Sequence, residues 1–263
     1  MTGIERISGG GFDNPVEIVF TADGEIIGTM DQGPGDALLH YVEGGVFPRE
    51  HPSLEEFPMT GPLLGSVYQY SGALPVALCG LARYRSAQLG AEYQDSLFSA
   101  QFNVHRIEQH RLERDGATFR ATNKDFLVSS NYDFHPTDVV EDADGSLLVV
   151  DMGAWFNYGC PTSKIAKPEV KGTIYRVRRR DAPKINDPWG NQIAWQVLSH
   201  TELLQLLHDS RLGVQDRAVE QLVKLGATSV RPLSDAVASS KVPLEARHRA
   251  LWALSRIDTP EAG

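Results

Sequence analysis

The chain is short of cysteine, of long apolar runs and of positive charge, and each shortage removes a class of function. Only two cysteines occur in 263 residues, Cys79 and Cys160. They form no Cys-x-x-Cys pair, which excludes a zinc ribbon and a c-type haem attachment within this sequence. Two readings of the pair stay open: a disulfide in an oxidising compartment, or two separate buried thiols. No apolar run approaches the ~18–20 residues that a membrane-spanning helix needs. The start, Met1-Thr2-Gly3-Ile4-Glu5-Arg6, has no basic stretch leading into an apolar one and does not read as a signal peptide. Lys and Arg total 25 against 34 Asp and Glu, a net charge of −9. That balance argues against a nucleic-acid partner, because such surfaces concentrate Lys and Arg to displace counterions. The one basic cluster, Arg178-Arg179-Arg180, reads as a solvated linker. No nucleophile motif, phosphate loop or dinucleotide fingerprint appears.

What is present is a passage written twice. Asn14-Pro15-Val16-Glu17-Ile18-Val19-Phe20-Thr21-Ala22-Asp23-Gly24 returns as His135-Pro136-Thr137-Asp138-Val139-Val140-Glu141-Asp142-Ala143-Asp144-Gly145. Each copy reads as strand, Asp-Gly turn, strand. The closing segments also match, Gly65-Ser66-Val67-Tyr68 against Gly172-Thr173-Ile174-Tyr175, so each unit is expected to be a hairpin, a long loop and an outer strand. A third unit lies between them. Leu97–Phe102 and Val104–Leu112 alternate as strands, and Asp115-Gly116 supplies the next tight turn. His105 and His110 fall on opposite phases of the second of these strands. Repeats of this kind predict an all-β propeller segment of at least three blades over residues 1–180. Three blades leave the ring incomplete, so the chain is expected to be a segment of a longer protein, or other strands complete the ring.

Beyond a Pro- and Gly-containing linker at 181–197, the apolar period changes to about 3.6. Leu203, Leu204, Leu206 and Leu207 mark one helix, and Ala218, Val219, Leu222 and Leu225 a second that Gly226 stops. Pro232, Leu233, Ala236 and Val237 fit a third, and Pro243 opens a fourth. Arg217-Ala218-Val219 recurs as Arg249-Ala250-Leu251. Paired helices repeated like this predict an α-helical HEAT-type solenoid segment over 198–263.

The blade residues carry a family resemblance. Leu81-Ala82-Arg83-Tyr84, Asp95-Ser96-Leu97-Phe98-Ser99-Ala100, Val104-His105-Arg106, Asp138-Val139 and Gly172-Thr173-Ile174-Tyr175-Arg176-Val177 together resemble the glucose/sorbosone dehydrogenase-like propellers. The order of propeller then helix pairs is similar to PVC-type haem-binding, membrane-bound dehydrogenase-like proteins. The resemblance implies a six-bladed ring, a quinone cofactor held with calcium, a carbohydrate or other small polar substrate, and a periplasmic or extracellular address. Haem is implied only for a cytochrome module outside this sequence. Related enzymes open the hairpin with Arg-x-Arg-Asp-Val; here it reads His135-Pro136-Thr137-Asp138-Val139, with both arginines replaced.

Polar groups that open the hairpins are the first candidates for a channel. His135 and Asp138 open one, although Asp138, like its counterpart Glu17, can equally brace a neighbouring strand. Asp151 ends that hairpin and leads into a loop with Trp155 and Asn157, whose ring and amide suit sugars. Arg83 and Tyr84 lie where the resembled family presents polar groups. No residue is assigned as catalytic. The sequence therefore admits part of a sugar-dehydrogenase-like redox protein with a helical docking surface for a protein partner. The alternative is a non-catalytic carbohydrate- or protein-binding module; a calcium-dependent lactonase-type hydrolase also fits a carboxylate-lined channel but has no specific motif.

Overall fold

The computed structural model describes residues 9–10, 14–31, 35–47, 66–70, 76–155 and 166–259. The chain divides into two compact units, Met1–Arg180 and Asp181–Gly263.

In chain order the first unit contains β1 (Gly9–Gly10), β2 (Asn14–Phe20), β3 (Ile26–Asp31), β4 (Ala37–Tyr41), β5 (Gly45–Val46), β6 (Tyr68–Gln69) and β7 (Leu78–Arg83). These are followed by β8 (Leu97–Gln101), β9 (Arg106–Asp115), β10 (Thr118–Val128), β11 (Pro136–Glu141), β12 (Leu147–Asp151) and β13 (Thr173–Val177). They form three antiparallel sheets, each a meander in sequence order: β2-β3-β4-β6, β7-β8-β9-β10 and β11-β12-β13. A short parallel pair joins β1 to β5. The Asp-Gly turns close the hairpins as the sequence requires. Gly24 and Gly145 hold φ of 86° and 74°, a region open to glycine at no steric cost.

Alternation along the strands sends one set of apolar side chains between neighbouring sheets. Ile27 and Leu38 of the first sheet meet Leu81, Leu97, Phe119 and Ala121 of the second. Ala82, Phe98, Ala100 and Ile107 of the second meet Val139, Leu147 and Val149 of the third. Each fully buried Leu, Ile or Phe contributes about 1.5–3 kcal/mol, so these two layers hold the sheets together.

The first strands share an irregularity. Pairing slips by one residue between Pro15 and Ile18 in β2, between Leu78 and Leu81 in β7, and between Pro136 and Asp138 in β11. A bulge bends a strand and re-aims the side chain it carries. Here it recurs near the start of each first strand, at Val16–Glu17, Cys79–Gly80 and Thr137, just ahead of the matching positions Ile18, Leu81 and Val139.

Two features differ from the expectation for this unit. The first repeat is not hairpin, loop, outer strand, because β4 intervenes. Ala37, Leu38 and Leu39 are all buried, so the run lacks the polar–apolar alternation that marks a half-exposed strand. His105 is not within a strand. It ends a short turn before β9 in a left-handed conformation, φ 57°.

The second unit contains α1 (His200–Leu206), α2 (Leu212–Lys224), α3 (Ala227–Ala238) and α4 (Leu244–Ser255). Ser199 and Glu202 form a reciprocal capping box at the start of α1. Leu203, Val214, Ala218, Leu222, Leu233, Ala250 and Leu254 share one core. α3 begins at Ala227, and Pro232 lies inside it. Pro243 is the cap residue of α4. The stretch expected as a linker belongs to this unit: Trp195 is buried in the helical core, donates from Nε1 to the Gly190 carbonyl at 2.7 Å and carries the Arg217 guanidinium over its ring.

Candidate functional site

The three bulges bring the opening residues of the first strands together. A side chain on Gly80 would lie 2.6 Å from the Asp138 Cα, so the second sheet leaves that position bare for the third. Glu17 reaches the same strand from the other side, and its Oε2 accepts the Leu81 N–H at 2.8 Å. Thr29 ties in beside it, donating from Oγ1 to the Cys79 carbonyl at 3.0 Å and accepting the Glu17 N–H at 3.2 Å. Burial, opposed by the Leu81 bond and reinforced by the Asp138 charge, holds the Glu17 carboxyl above its ordinary range.

Acidic groups dominate this end. Asp36 is buried and accepts the Ala77 N–H at 2.8 Å. Cys79 is a free thiol pushed up to about 12, first by burial and then by the charges of Asp31, Asp138 and Asp36. The local field is therefore negative. Asp138 itself bonds the Val139 N–H at 2.7 Å.

His135 stands next to this cluster, on the Phe102 ring at 4.7 Å between centroids. Its backbone N–H donates to Asp151 Oδ1 at 2.9 Å, and the Gly153 N–H donates to the same oxygen at 2.8 Å. Its Nδ1 lies 2.9 Å from the Gly153 carbonyl, which only accepts, so Nδ1 carries the proton. The His105 ring packs against it at 5.2 Å, and its Nδ1 donates to the Phe134 carbonyl at 2.7 Å. Burial keeps the His135 imidazole below its ordinary value, and the neighbouring His105 adds to that. His135, Asp138 and Asp151 are thus placed at one end of the first strands, with His105 added. Trp155 is exposed beyond Asp151. Asn157 lies outside the described residues.

Arg83 and Tyr84 are elsewhere. Arg83 ends β7 and Tyr84 follows it, roughly 17 Å or more along the chain from the strand's start at ~3.3 Å per residue. Arg83 pairs with Asp95 at 2.6 Å on the surface. Tyr84 is fully buried, donates to the Gly145 carbonyl at 2.6 Å and accepts the Leu89 N–H at 2.9 Å. Nearby, both oxygens of Glu141 accept N–H bonds from the second sheet, Arg85 at 3.0 Å and Ser86 at 2.7 Å. These groups tie the second and third sheets at the end away from His135.

A buried network in the second sheet has no counterpart in the sequence reading. His110 Nε2 lies 2.7 Å from Ser99 Oγ, and Nδ1 lies 3.0 Å from Asn123 Oδ1. Gln101 joins Tyr70 at 3.1 Å and Glu108 at 2.7 Å. The order hydroxyl, imidazole, amide is that of an activated nucleophile. Ser99 and His110 have no solvent exposure, so the set braces strands rather than meeting a substrate. Desolvation lowers His110 to about 4 and keeps it neutral. The Asp115-Gly116 turn could have revealed part of this set, because the register it fixes puts Asn123 opposite His110.

The described residues do not fit the implied cofactors. An anionic quinone needs cationic partners, and the hairpin opening carries His135, Pro136 and Thr137 in a negative field. For calcium, no three acidic, His or Cys side chains come together to hold a metal ion among the described residues.

A family model described as a domain of unknown function (DUF7133) matches residues 65–181. No curated protein matches the chain. Similar solved structures include an oxidoreductase, a glucose dehydrogenase, from Thermus thermophilus, 16% identical over 65% of this chain and 46% of that one, TM-score 0.45. A soluble aldose sugar dehydrogenase from Escherichia coli in its apo form is 16% identical over 54% of this chain and 42% of that one, TM-score 0.41. This chain spans less than half the length of either.

Proposed function

We propose that the β unit is a segment of a sugar-dehydrogenase-like propeller that takes a small neutral polar ligand, a carbohydrate first among them. The ligand site is the acidic end where the first strands open. The carrying observation is the convergence of matching positions in three consecutive meanders, with Gly80 against the Asp138 backbone on one side and the Glu17 carboxylate bonded beside it at Leu81 on the other. Carboxylates accept hydrogen bonds from sugar hydroxyls, and the exposed Trp155 supplies a face on which a sugar ring stacks. The negative field favours a neutral polyol over a phosphorylated sugar. In this reading quinone and haem chemistry belong to parts of a redox protein outside the described residues, in a periplasmic or extracellular setting.

A non-catalytic binding module is the second reading. It is favoured by Asp151, whose Oδ1 already accepts two backbone N–H groups and holds a loop. The helical unit fits a HEAT-type docking array in both readings. Its support is the match of Arg217-Ala218 to Arg249-Ala250, with both alanines buried in the helical core.

Isothermal titration of the full chain with neutral aldoses and polyols tests the proposal. Saturable binding that weakens about tenfold or more in Asp138→Asn supports it. Absence of heat across the panel, or equal binding by the variant, refutes it.

A further inference from the structure

Just after the Asp23-Gly24 turn, at the end of the first hairpin away from the acidic site, three side chains line up across two sheets. His40 of β4 is buried, with its ring 5.2 Å from the Phe119 ring between centroids. Its Nε2 lies 3.1 Å from Glu25 Oε2, and its Nδ1 lies 3.1 Å from Thr118 Oγ1. The His40 bond first, and then Arg114, outweigh desolvation and hold the Glu25 carboxyl below its ordinary range. An ionised carboxylate only accepts, so Nε2 carries the proton and Nδ1 is left to accept from the Thr118 hydroxyl. Arg114 fixes the carboxylate from behind: it binds Glu25 Oε1 and Asp23 Oδ2, each at 3.2 Å, and lies over the Phe119 ring at 4.3 Å. Thr118 is exposed where β10 begins, beside the Asp115-Gly116 turn.

The order carboxylate, imidazole, hydroxyl is that of an activated nucleophile. The Ser99–His110–Asn123 set lacks two things this one has: an exposed hydroxyl, and a carboxylate in the place of the amide. In the Ser-His-Asp arrangement Nε2 faces the hydroxyl and Nδ1 the carboxylate. Here the two nitrogens exchange roles, and the tautomer is still fixed by the bond that the other nitrogen makes. We propose that Thr118 is an acyl-acceptor site for small carboxylic esters, with His40 as general base and Glu25 as the residue that positions it. Thr118 Oγ1 attacks the ester carbonyl carbon while its proton passes to His40 Nδ1. A new C–O bond joins the acyl group to Thr118, the bond to the leaving alcohol breaks, and His40 returns the proton to the leaving oxygen. The Glu25 carboxylate stabilises the imidazolium in between. Water then attacks the acyl carbon under the same base, releases the carboxylic acid and restores the hydroxyl. The site stands apart from the sugar site and does not depend on it.

Incubation of the full chain with p-nitrophenyl acetate, followed by peptide mass spectrometry, reads the acetyl group at its residue. Thr122 is the internal control, an exposed threonine of the same strand whose hydroxyl donates only to the Arg111 carbonyl, at 3.5 Å. A positioned general base contributes about 10²–10⁴-fold, so Thr118 is expected to acetylate at least a hundredfold faster than Thr122. Thr118→Ser keeps the reaction, and Thr118→Val removes the release of nitrophenolate that accompanies it. His40→Gln brings Thr118 down to the rate of Thr122, with circular dichroism checking that this change in the core keeps the sheets. Glu25→Gln, at the rim, keeps an acceptor without the charge and is expected to slow acetylation at least tenfold, with Glu25→Asp recovering part of the rate. Equal labelling of Thr118 and Thr122 overturns the proposal, as does a label confined to lysines and the amino terminus. Thr118 acetylation at the native rate in Glu25→Gln and in a folded His40→Gln overturns it too, and leaves the three side chains as a brace between sheets.

Discussion

Acidification should weaken the second sheet through one side chain, His110. The ring sits without solvent exposure between Ser99 and Asn123 and titrates at about 4, against an ordinary value of 6.5. The fold therefore favours the neutral imidazole. Above pH 6.5 neither state binds the proton and the stability is complete. As pH falls from 6.5 to about 4, the unfolded chain takes up the proton while the folded chain resists it, so stability declines across that window and levels off below it. Each pH unit is worth about 1.4 kcal/mol, which makes the full loss about 3 kcal/mol. Glu108, close by and held above its ordinary range by burial, acts in the opposite sense, as do Glu17 and Glu141. The comparison that isolates His110 is therefore with His110→Gln, which retains a donor and an acceptor but does not titrate. Urea unfolding followed by sheet circular dichroism should show the native chain losing about 3 kcal/mol more than the variant between pH 6.5 and 4. Proton NMR of the ring should show no titration above pH 5. Parallel stability curves for the two proteins, or a ring that titrates near 6.5, would refute the burial argument.

Two further substitutions probe the convergence of the bulges. Gly80→Ala forces a methyl group onto the Asp138 backbone, 2.6 Å from its Cα, and should cost about 1–3 kcal/mol in urea unfolding, as overpacking does elsewhere; an unchanged midpoint would mean the strands lie further apart. Glu17→Ala strips the Leu81 N–H of its partner and should cost about 1–3 kcal/mol, whereas Glu17→Gln keeps an acceptor and should recover most of that, so equal melting temperatures for the two variants would count against the bond.

The hairpins were legible because their signals are local. Asp23-Gly24 and Asp144-Gly145 fix the turns, and alternation on either side fixes the strands. β4 was hidden because both faces of Ala37–Leu39 are buried, which erases the period of two. The bulge was hidden too: a one-residue slip in pairing leaves no mark on composition, although Gly80 in the place of two acids was its trace. The candidate site divided along the same line. His135, Asp138 and Asp151 come from one hairpin, whose geometry carries them to one end together. Arg83 and Tyr84 were placed by resemblance, without a register, and they lie at the far end of β7. His105 joined His135 only through a left-handed turn that its sequence position between Val104 and Arg106 does not announce.

The bare bulge at Gly80 has a consequence for how such a chain can diversify. Duplicated units are usually thought of as exchangeable, so that any copy could be shuffled into any slot. Here the middle slot is keyed. A copy of the first or third unit moved into it would bring an acidic side chain to the place where the Asp138 backbone already stands, while the glycine-bearing unit moved to the first slot would have no preceding unit to bond the Leu81 N–H. The order of the units is thus written in steric terms at a single step of each first strand, and recombination among them is self-policing.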